Sequence, residues 1–346
     1  SEKALALRAT KDDNPNVRSA AVTALAQLPV ASSVNVLVTV ATKDNSPTVR
    51  ATATHALSRI CFPAAVPKLI EALNTRDETV QDAAAKALAN MKEPSAVGPF
   101  MSALGNKDAK IAQLAADSLA AIGAPSIPSL ISALNDRQQS ILASEALIKI
   151  GAPAVESLAN LLSDKRTSSD AAHILSAIGK PSVPALIKAL TNEKTTEIAA
   201  DTLTKMGEAI VPLLIQALDA TNTRKDLASI LIRIGQPAKQ PLLLALDSNN
   251  FGVAGGAALA LSGMADPEVL KPVRAALTSK KLHIIAGAYP FFVRTCEQQH
   301  EQTLISALQE YGTHEMAEAF LNSGRANLIV AARKWAREND FKIVDK

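Results

Sequence analysis

An all-α fold built from stacked helix pairs, an α-solenoid, is predicted by three features of the 346-residue sequence. One short theme returns along most of the chain at intervals of 28 to 32 residues. Its apolar positions recur at helical spacing, and glycine and proline punctuate the gaps at constant offsets.

The theme is plain in NVRSAAVTALAQL (16–28), TVRATATHALSRI (48–60), TVQDAAAKALANM (79–91) and KIAQLAADSLAAI (110–122). It continues as SILASEALIKI (140–150), SDAAHILSAI (169–178), EIAADTLTKM (197–206), KDLASILIRI (225–234) and VAGGAALALSGM (253–264). Taking the last residue of each copy as its anchor, a leucine stands three residues earlier in all nine, from Leu25 to Leu261. An alanine stands seven residues earlier in all but one, where Leu227 replaces it. Offsets of three, four and seven lie on one helical face. The alanines let a neighbouring helix come close and the leucines fill the space between, so each copy is a buried helix, termed helix B.

The other half of each repeat reads PAAVPKLIEAL (63–73), PSIPSLISAL (125–134), PSVPALIKAL (181–190) or IVPLLIQAL (210–218). Pro67, Pro128, Pro184 and Pro212 suit a helix start, where a missing N–H costs nothing and a fixed φ favours entry. Gly123, Gly151, Gly179, Gly207 and Gly235 directly follow helix B, the favoured place for a left-handed cap. The order is therefore helix B, a tight turn, then helix A of the next repeat.

The pattern V-R-x-x-A-x-x-A-L followed by G-x-P-x-x-x-P-x-L-I-x-A-L resembles HEAT repeats, particularly the short class also found in phycobilisome lyases. The resemblance covers residues 1–310. It implies a right-handed superhelix of about ten helix pairs, with helices B on the concave side and helices A on the convex side. Val17-Arg18 and Val49-Arg50 carry the family's V-R element, which changes to Val80-Gln81 and Ile111-Ala112 and is then lost, with Gln139, Thr167, Thr195 and Thr223 at the valine position. Arg18 and Arg50 are candidates for the start of an Asp/Arg ladder that cannot run the full length.

Repeats are clear to about residue 264 and divergent over 265–310, and residues 311–346 are expected to be capping helices. Pro290 stands where the recurring leucine belongs, so the helix must end or kink there. Residues 300–311 read as one more helix A. Thr313 is placed to cap the next helix, Gly324 to end it and Asn327 to start the last. The segment from Gly312 to Trp335 resembles the closing segment of some bacterial HEAT-repeat proteins. Eight of the ten aromatic residues follow residue 250. They suit either a terminal repeat closing the core or an aromatic binding patch.

Composition narrows function. A formal charge of +3 from 36 basic and 33 acidic residues lacks the basic excess of a non-specific nucleic-acid binder. No apolar run is long enough to span a bilayer. Cys61 and Cys296 read as free thiols, too distant for a disulfide in an array and without partners at metal-ligand spacing. The chain opens on Ser1 rather than Met, as expected where a leader or an upstream domain has been lost, and no signal peptide is legible. His314-Glu315 lacks the second histidine of a zinc-protease motif. Gly252, Gly255 and Gly256 lack the spacing and strand of a dinucleotide site. No catalytic, cofactor or metal site is expected.

What remains is a surface. Positions nine, five and one before each anchor form a stripe opposite the buried leucine and alanine. It carries His55 and Arg59, Lys86, Asp117, Glu145 and Lys149, His173, Asp201 and Lys205, Lys225, Ser229 and Arg233. Residues 221–296, including Arg224, hold nine basic and four acidic side chains. As a solvated face the stripe would carry i, i+4 ion pairs such as Asp82–Lys86, Glu145–Lys149 and Asp201–Lys205. As a functional face it is the candidate site of a non-enzymatic scaffold that binds a protein partner. A phycobilin-lyase-like subunit or chaperone is the alternative, implied by the repeat subtype alone. A nucleic-acid-binding HEAT-like protein comes next, opposed by the acids Asp117, Glu145 and Asp201 that interrupt the stripe.

Overall fold

A computed structural model describes all residues except Pro29, Thr221, Ala265, Cys296 and 342–346. The chain forms two compact units, Ser1–Ile178 and Gly179–Lys346. The free thiol expected at Cys296 lies outside the described residues, whereas Cys61 is a free and exposed thiol.

The first unit runs α1 (Glu2–Lys11), α2 (Pro15–Ala26), α3 (Ala31–Lys43), α4 (Pro47–Ser58), α5 (Val66–Leu73) and α6 (Glu78–Asn90). It continues with α7 (Val97–Leu104), α8 (Ala109–Ile122), α9 (Ile127–Ala133), α10 (Ser140–Ile150), α11 (Val155–Asn160) and α12 (Ser168–Ile178). The second unit runs α13 (Val183–Ala189), α14 (Thr196–Met206), α15 (Val211–Ala217), α16 (Arg224–Ile234), α17 (Gln236–Ala245) and α18 (Phe251–Gly263). It ends with α19 (Pro267–Ser279), α20 (Leu282–Gly287), α21 (Tyr289–Thr295), α22 (Glu301–Tyr311), α23 (His314–Leu321) and α24 (Ala326–Glu338).

Within each unit every even-numbered helix packs on the next even-numbered one, α2 to α12 and α14 to α24. These are the helices B for as long as the sequence theme lasts. The helices A form a second layer, α1 through α9 in the first unit and α15 through α19 in the second. Leu25, Leu57, Leu88, Leu119, Leu147, Leu175, Leu203, Leu231 and Leu261 are each at most 1% exposed. The residue seven before each anchor is buried throughout, Leu227 included. Small side chains at the contact bring helix axes together, and the leucines interdigitate from the same face. Replacing one such leucine by alanine costs about 2–5 kcal/mol. The anchors are less deeply held: Ile60 and Met91 are buried and the other seven only half-buried.

The turns differ in one respect from the expected left-handed cap. Gly123, Gly151, Gly179, Gly207 and Gly235 have φ between 63° and 81° but ψ between −140° and −128°. This extended mirror region is open almost solely to glycine. After Gly123, Gly151 and Gly179 a 3-10 turn follows at once and leads straight into the next helix A, whereas α17 begins directly after Gly235 with the same glycine backbone. Pro67, Pro128, Pro184 and Pro212 then occupy the first turn of α5, α9, α13 and α15, as expected.

A hydrogen bond reaching back six residues closes the turn within a repeat. Arg18 Nη1 donates to the Asp12 carbonyl at 2.8 Å, Arg50 Nη1 to that of Asp44 at 2.8 Å and Gln81 Nε2 to that of Thr75 at 2.6 Å. Where the V-R element is lost, threonine one position earlier takes over: Thr195 Oγ1 donates to the Ala189 carbonyl at 2.7 Å and Thr167 Oγ1 to that of Leu161 at 3.5 Å. In α16 the arginine returns, and Arg224 Nε donates to the Leu218 carbonyl at 2.8 Å. The buried Thr223 hydroxyl beside it has no hydrogen-bond partner among the described residues. The ladder expected between repeats begins at Arg18, whose guanidinium grips both Asp44 oxygens at 2.8 and 2.9 Å.

The divergent end follows from Pro290. Helix α20 ends at Gly287 and α21 starts at Tyr289, as the proline demands. Helix α21 packs on α18, α20 and α23, while α22 packs on α20 and α24. Residues 301–311 therefore continue the column of helices B rather than forming the helix A expected there, because the break inserts α21 as the preceding partner. Thr313 caps α23 by accepting from Met316 N. Asn327 lies inside the first turn of α24 instead of starting it, and its Nδ2 donates to the buried Glu301 at 2.8 Å, tying α24 to α22. Phe291, Phe292, Phe320 and Trp335 are buried in this end.

Two stability outcomes follow. Gly151→Ala should lower the urea midpoint by the equivalent of about 1–3 kcal/mol, since its positive φ is the obstacle rather than space. Gly98→Ala, in a helical first turn with nothing near a new Cβ, should raise it by about 0.4–1 kcal/mol. Equal shifts in the two variants would refute the turn argument.

The Asp44 carboxylate is 6% exposed, and the Arg18 hydrogen bonds hold its pKa below the ordinary value. A depressed carboxylate contributes stability above its unfolded pKa, near 3.9, and loses it as pH falls through the folded value. Arg18→Ala should cost about 1–3 kcal/mol at neutral pH. The gap to wild type should close on acid titration followed by circular dichroism.

Candidate functional site

Some helices B enter from a side-chain cap, as where Asp77 accepts from Thr79 N and Val80 N or Asp108 accepts from Lys110 N. With leucine and alanine turned to the core, the opposite side of the helix faces solvent. In the first unit the stripe is exposed at His55 and Arg59 on α4, Asp82 and Lys86 on α6, Asp117 on α8, Glu145 and Lys149 on α10, and His173 on α12. In the second unit Lys205, Lys225, Ser229 and Arg233 are exposed and Asp201 is half-buried.

The stripe's charges pair across helices rather than along them. Lys149 Nζ lies 2.5 Å from Asp117 Oδ1, and Arg233 Nη2 lies 2.6 Å from Asp201 Oδ1. Each rung joins an acid five residues before one anchor to a base one residue before the next, 32 residues on. Neighbouring helices B are thus staggered by one turn, which places the base closer to the preceding helix than to the acid on its own. Lys149 is directed to Asp117 instead of the expected Glu145, and Asp201 accepts from Arg233 instead of the expected Lys205. Gln113 Nε2 adds a contact to Glu145 at 3.3 Å. The Asp117 hydrogen bond raises the Lys149 pKa.

The basic third is largely neutralised from within. Arg224 is half-buried, commits its guanidinium to the Leu218 and Asp219 carbonyls, and has its pKa lowered by desolvation. Lys225 meets Glu315 of α23 at 3.2 Å, Lys239 meets Asp266 at 2.6 Å, and Lys281 meets Asp247 at 3.0 Å. Arg274 sits over the Phe291 ring at 5.6 Å.

The exposed stripe stops at α18. Gly255 is buried against the backbone of α20, and a Cβ on Gly287 would overlap the Gly255 backbone. Close helix approach therefore explains the glycine cluster that failed as a nucleotide motif. Beside it Phe251, 53% exposed, stacks on His283 at 4.9 Å with Tyr311 edge-on at 5.6 Å. Burial, with Lys281 nearby, lowers the His283 pKa. Phe251, His283 and Tyr311 stand 32 and 28 residues apart, so the sequence signal for this trio was its repeat-like spacing.

An open cleft of about 650 Å³ lies along α4 and α6, lined among others by Arg50, Thr54, His55, Asp77, Asp82 and Lys86. Among the described residues no group of three His, Cys, Asp or Glu side chains is arranged to hold a metal ion. No described helix is long and apolar enough to cross a membrane.

The rung geometry has a measurable signature. Lys149→Ala and Asp117→Asn should each lower stability by no more than about 1 kcal/mol, and the double variant by no more than either alone. Urea titrations in about 1 M salt should erase the difference from wild type. Additive losses would sink the pairing.

The model of the HEAT-repeat family matches twice, over residues 2–89 and 66–151. The comparison with curated proteins returns no match. Solved structures similar to this chain include yeast importin-β (Kap95p), 14% identical, covering 98% of this chain and 59% of that one with a TM-score of 0.31. Kap121p bound to Ste12p is 12% identical and covers 96% and 45%, with a TM-score of 0.29. Kap121p bound to Pho4p is 13% identical with the same coverage and TM-score. The chain spans about half the length of these structures. Leucine and alanine columns, glycine-proline turns and the doubled match together identify residues 2–151 as HEAT repeats, and the same columns and turns continue beyond them in an all-α array of helix pairs.

Proposed function

We propose that this protein is a non-enzymatic scaffold that holds a protein partner along its helix-B face. The observation that carries the reading is the recurrence of exposed polar side chains at one register on successive helices. A partner lying along such a face gains a contact from every repeat it crosses, which a single pocket cannot provide. Catalytic groups need burial or a close charge partner to shift them toward working pKa values. The stripe's side chains are mostly exposed, and even its paired members, such as Lys149 and Asp117, meet in water, where fields are weak and mixed charges serve recognition and register.

Quantitative affinity capture from the native host with the full chain tests this. Arg59→Glu with Lys86→Glu, or Lys205→Glu with Arg233→Glu, should reduce recovery of a specific partner at least about tenfold. Lys68→Glu with Lys271→Glu, on helices A, should leave it intact. Recovery that survives both stripe reversals, or that falls only with the helix-A reversal, would overturn the assignment.

A further inference from the structure

The rungs also show where the stripe is incomplete. At Asp117–Lys149 and Asp201–Arg233 the acid stands five residues before one anchor and the base one residue before the next. In the first three repeats the acid's place is held by Thr23, His55 and Lys86. Arg59 occupies the base position of the repeat that follows Thr23, and His55 and Lys86 stand at the position that Asp117, Glu145 and Asp201 hold in later repeats. All three bases are exposed, and none has an ion-pair partner among the described residues.

These bases gather at the cleft along α4 and α6, which His55 and Lys86 line and Arg59 follows by one turn. The other charges of the lining are mostly committed. Arg50 donates to the Asp44 carbonyl, and Asp77 caps α6 while accepting from Thr79 Oγ1 at 2.6 Å. Asp82, one turn N-terminal to Lys86, is left as the exposed acid of the lining. It disfavours anionic groups beside it, so carboxylates are directed toward His55, Arg59 and Lys86. Arginine suits carboxylates through its planar fork, while lysine and histidine add donors without fixing geometry.

We propose that repeats one to three take an acidic segment of the protein partner, with one Asp or Glu carboxylate beside Thr23 in the rung place that Asp117 and Asp201 fill elsewhere, set against Arg59, and others set against His55 and Lys86. The inference rests on the scaffold reading and specifies the chemistry of the segment held.

The full chain is titrated into a fluorescein-labelled peptide alternating Glu with Gly and Ser, with anisotropy read at about 50 mM and about 500 mM salt. Binding at low salt, weakened at high salt, is expected. Arg59→Gln with Lys86→Gln should weaken it at least about tenfold, and Lys271→Gln, on a helix A, should leave it unchanged. Thr23→Asp supplies the missing carboxylate from within, so it should also weaken peptide binding while leaving the thermal melt intact or raised. Failure of the Glu peptide to bind overturns the proposal. So does unchanged binding by the Arg59/Lys86 or Thr23 variants, or tighter binding of the matching Lys peptide. Equal binding of a DNA oligonucleotide of the same charge would replace carboxylate recognition with general polyanion attraction and overturn it as well. If the Glu peptide fails while stripe reversals still release the captured partner, the scaffold reading stands and the acidic-segment proposal alone falls.

Discussion

The constraint on which this protein rests is that no helix pair here can bury its own apolar face. A helix B of eleven to fourteen residues carries one leucine and one alanine toward the core in each copy. Their cover comes from the neighbouring repeat. Leu119 is fully buried because α6 and α10 flank α8, and the same holds for Leu147 between α8 and α12. Alanine at the crossing sets the approach, and that approach makes every other contact between repeats possible. Rungs such as Asp117–Lys149 are consequences of that closeness rather than its cause, since exposed ion pairs contribute little.

Much of this was legible in the sequence because the chemistry recurs. Leucine and alanine at offsets of three and seven marked helix B, and glycine followed by proline marked the turn. The glycine backbone was legible only in sign: positive φ followed from residue identity, whereas ψ is decided by the immediate turn into the next helix A. The column assignment of 301–311 was not legible, because it depends on where α21 goes after Pro290 and no repeat sets a precedent for that. The commitment of Asn327 to Glu301 was hidden for the same reason, being made only once α24 docks on α22.

The candidate face was legible as a set of positions and not as a set of interactions. Periodicity shows that His55, Asp117, Glu145 and Asp201 occupy equivalent places. It is blind to the stagger of one turn between neighbouring helices, and that stagger decides whether Lys149 meets Glu145 on its own helix or Asp117 on the previous one. The same blindness made 221–296 look like a basic surface, although Glu315, Asp266 and Asp247 come from other repeats to meet its lysines. Arg224 is the sharpest case, a stripe neighbour by sequence whose guanidinium is spent on two backbone carbonyls.

The exchange of arginine for threonine at the six-residue latch has a mechanical meaning. Arg18 ties its turn to a carboxylate as well as a carbonyl, so acid or added ions act directly on that joint. Thr167 and Thr195 fasten the same joint with a buried hydroxyl that carries no charge to titrate or screen. The same joint is thus made from two materials, a charged one at Arg18 that responds to its surroundings and an uncharged one at Thr167 and Thr195 that does not.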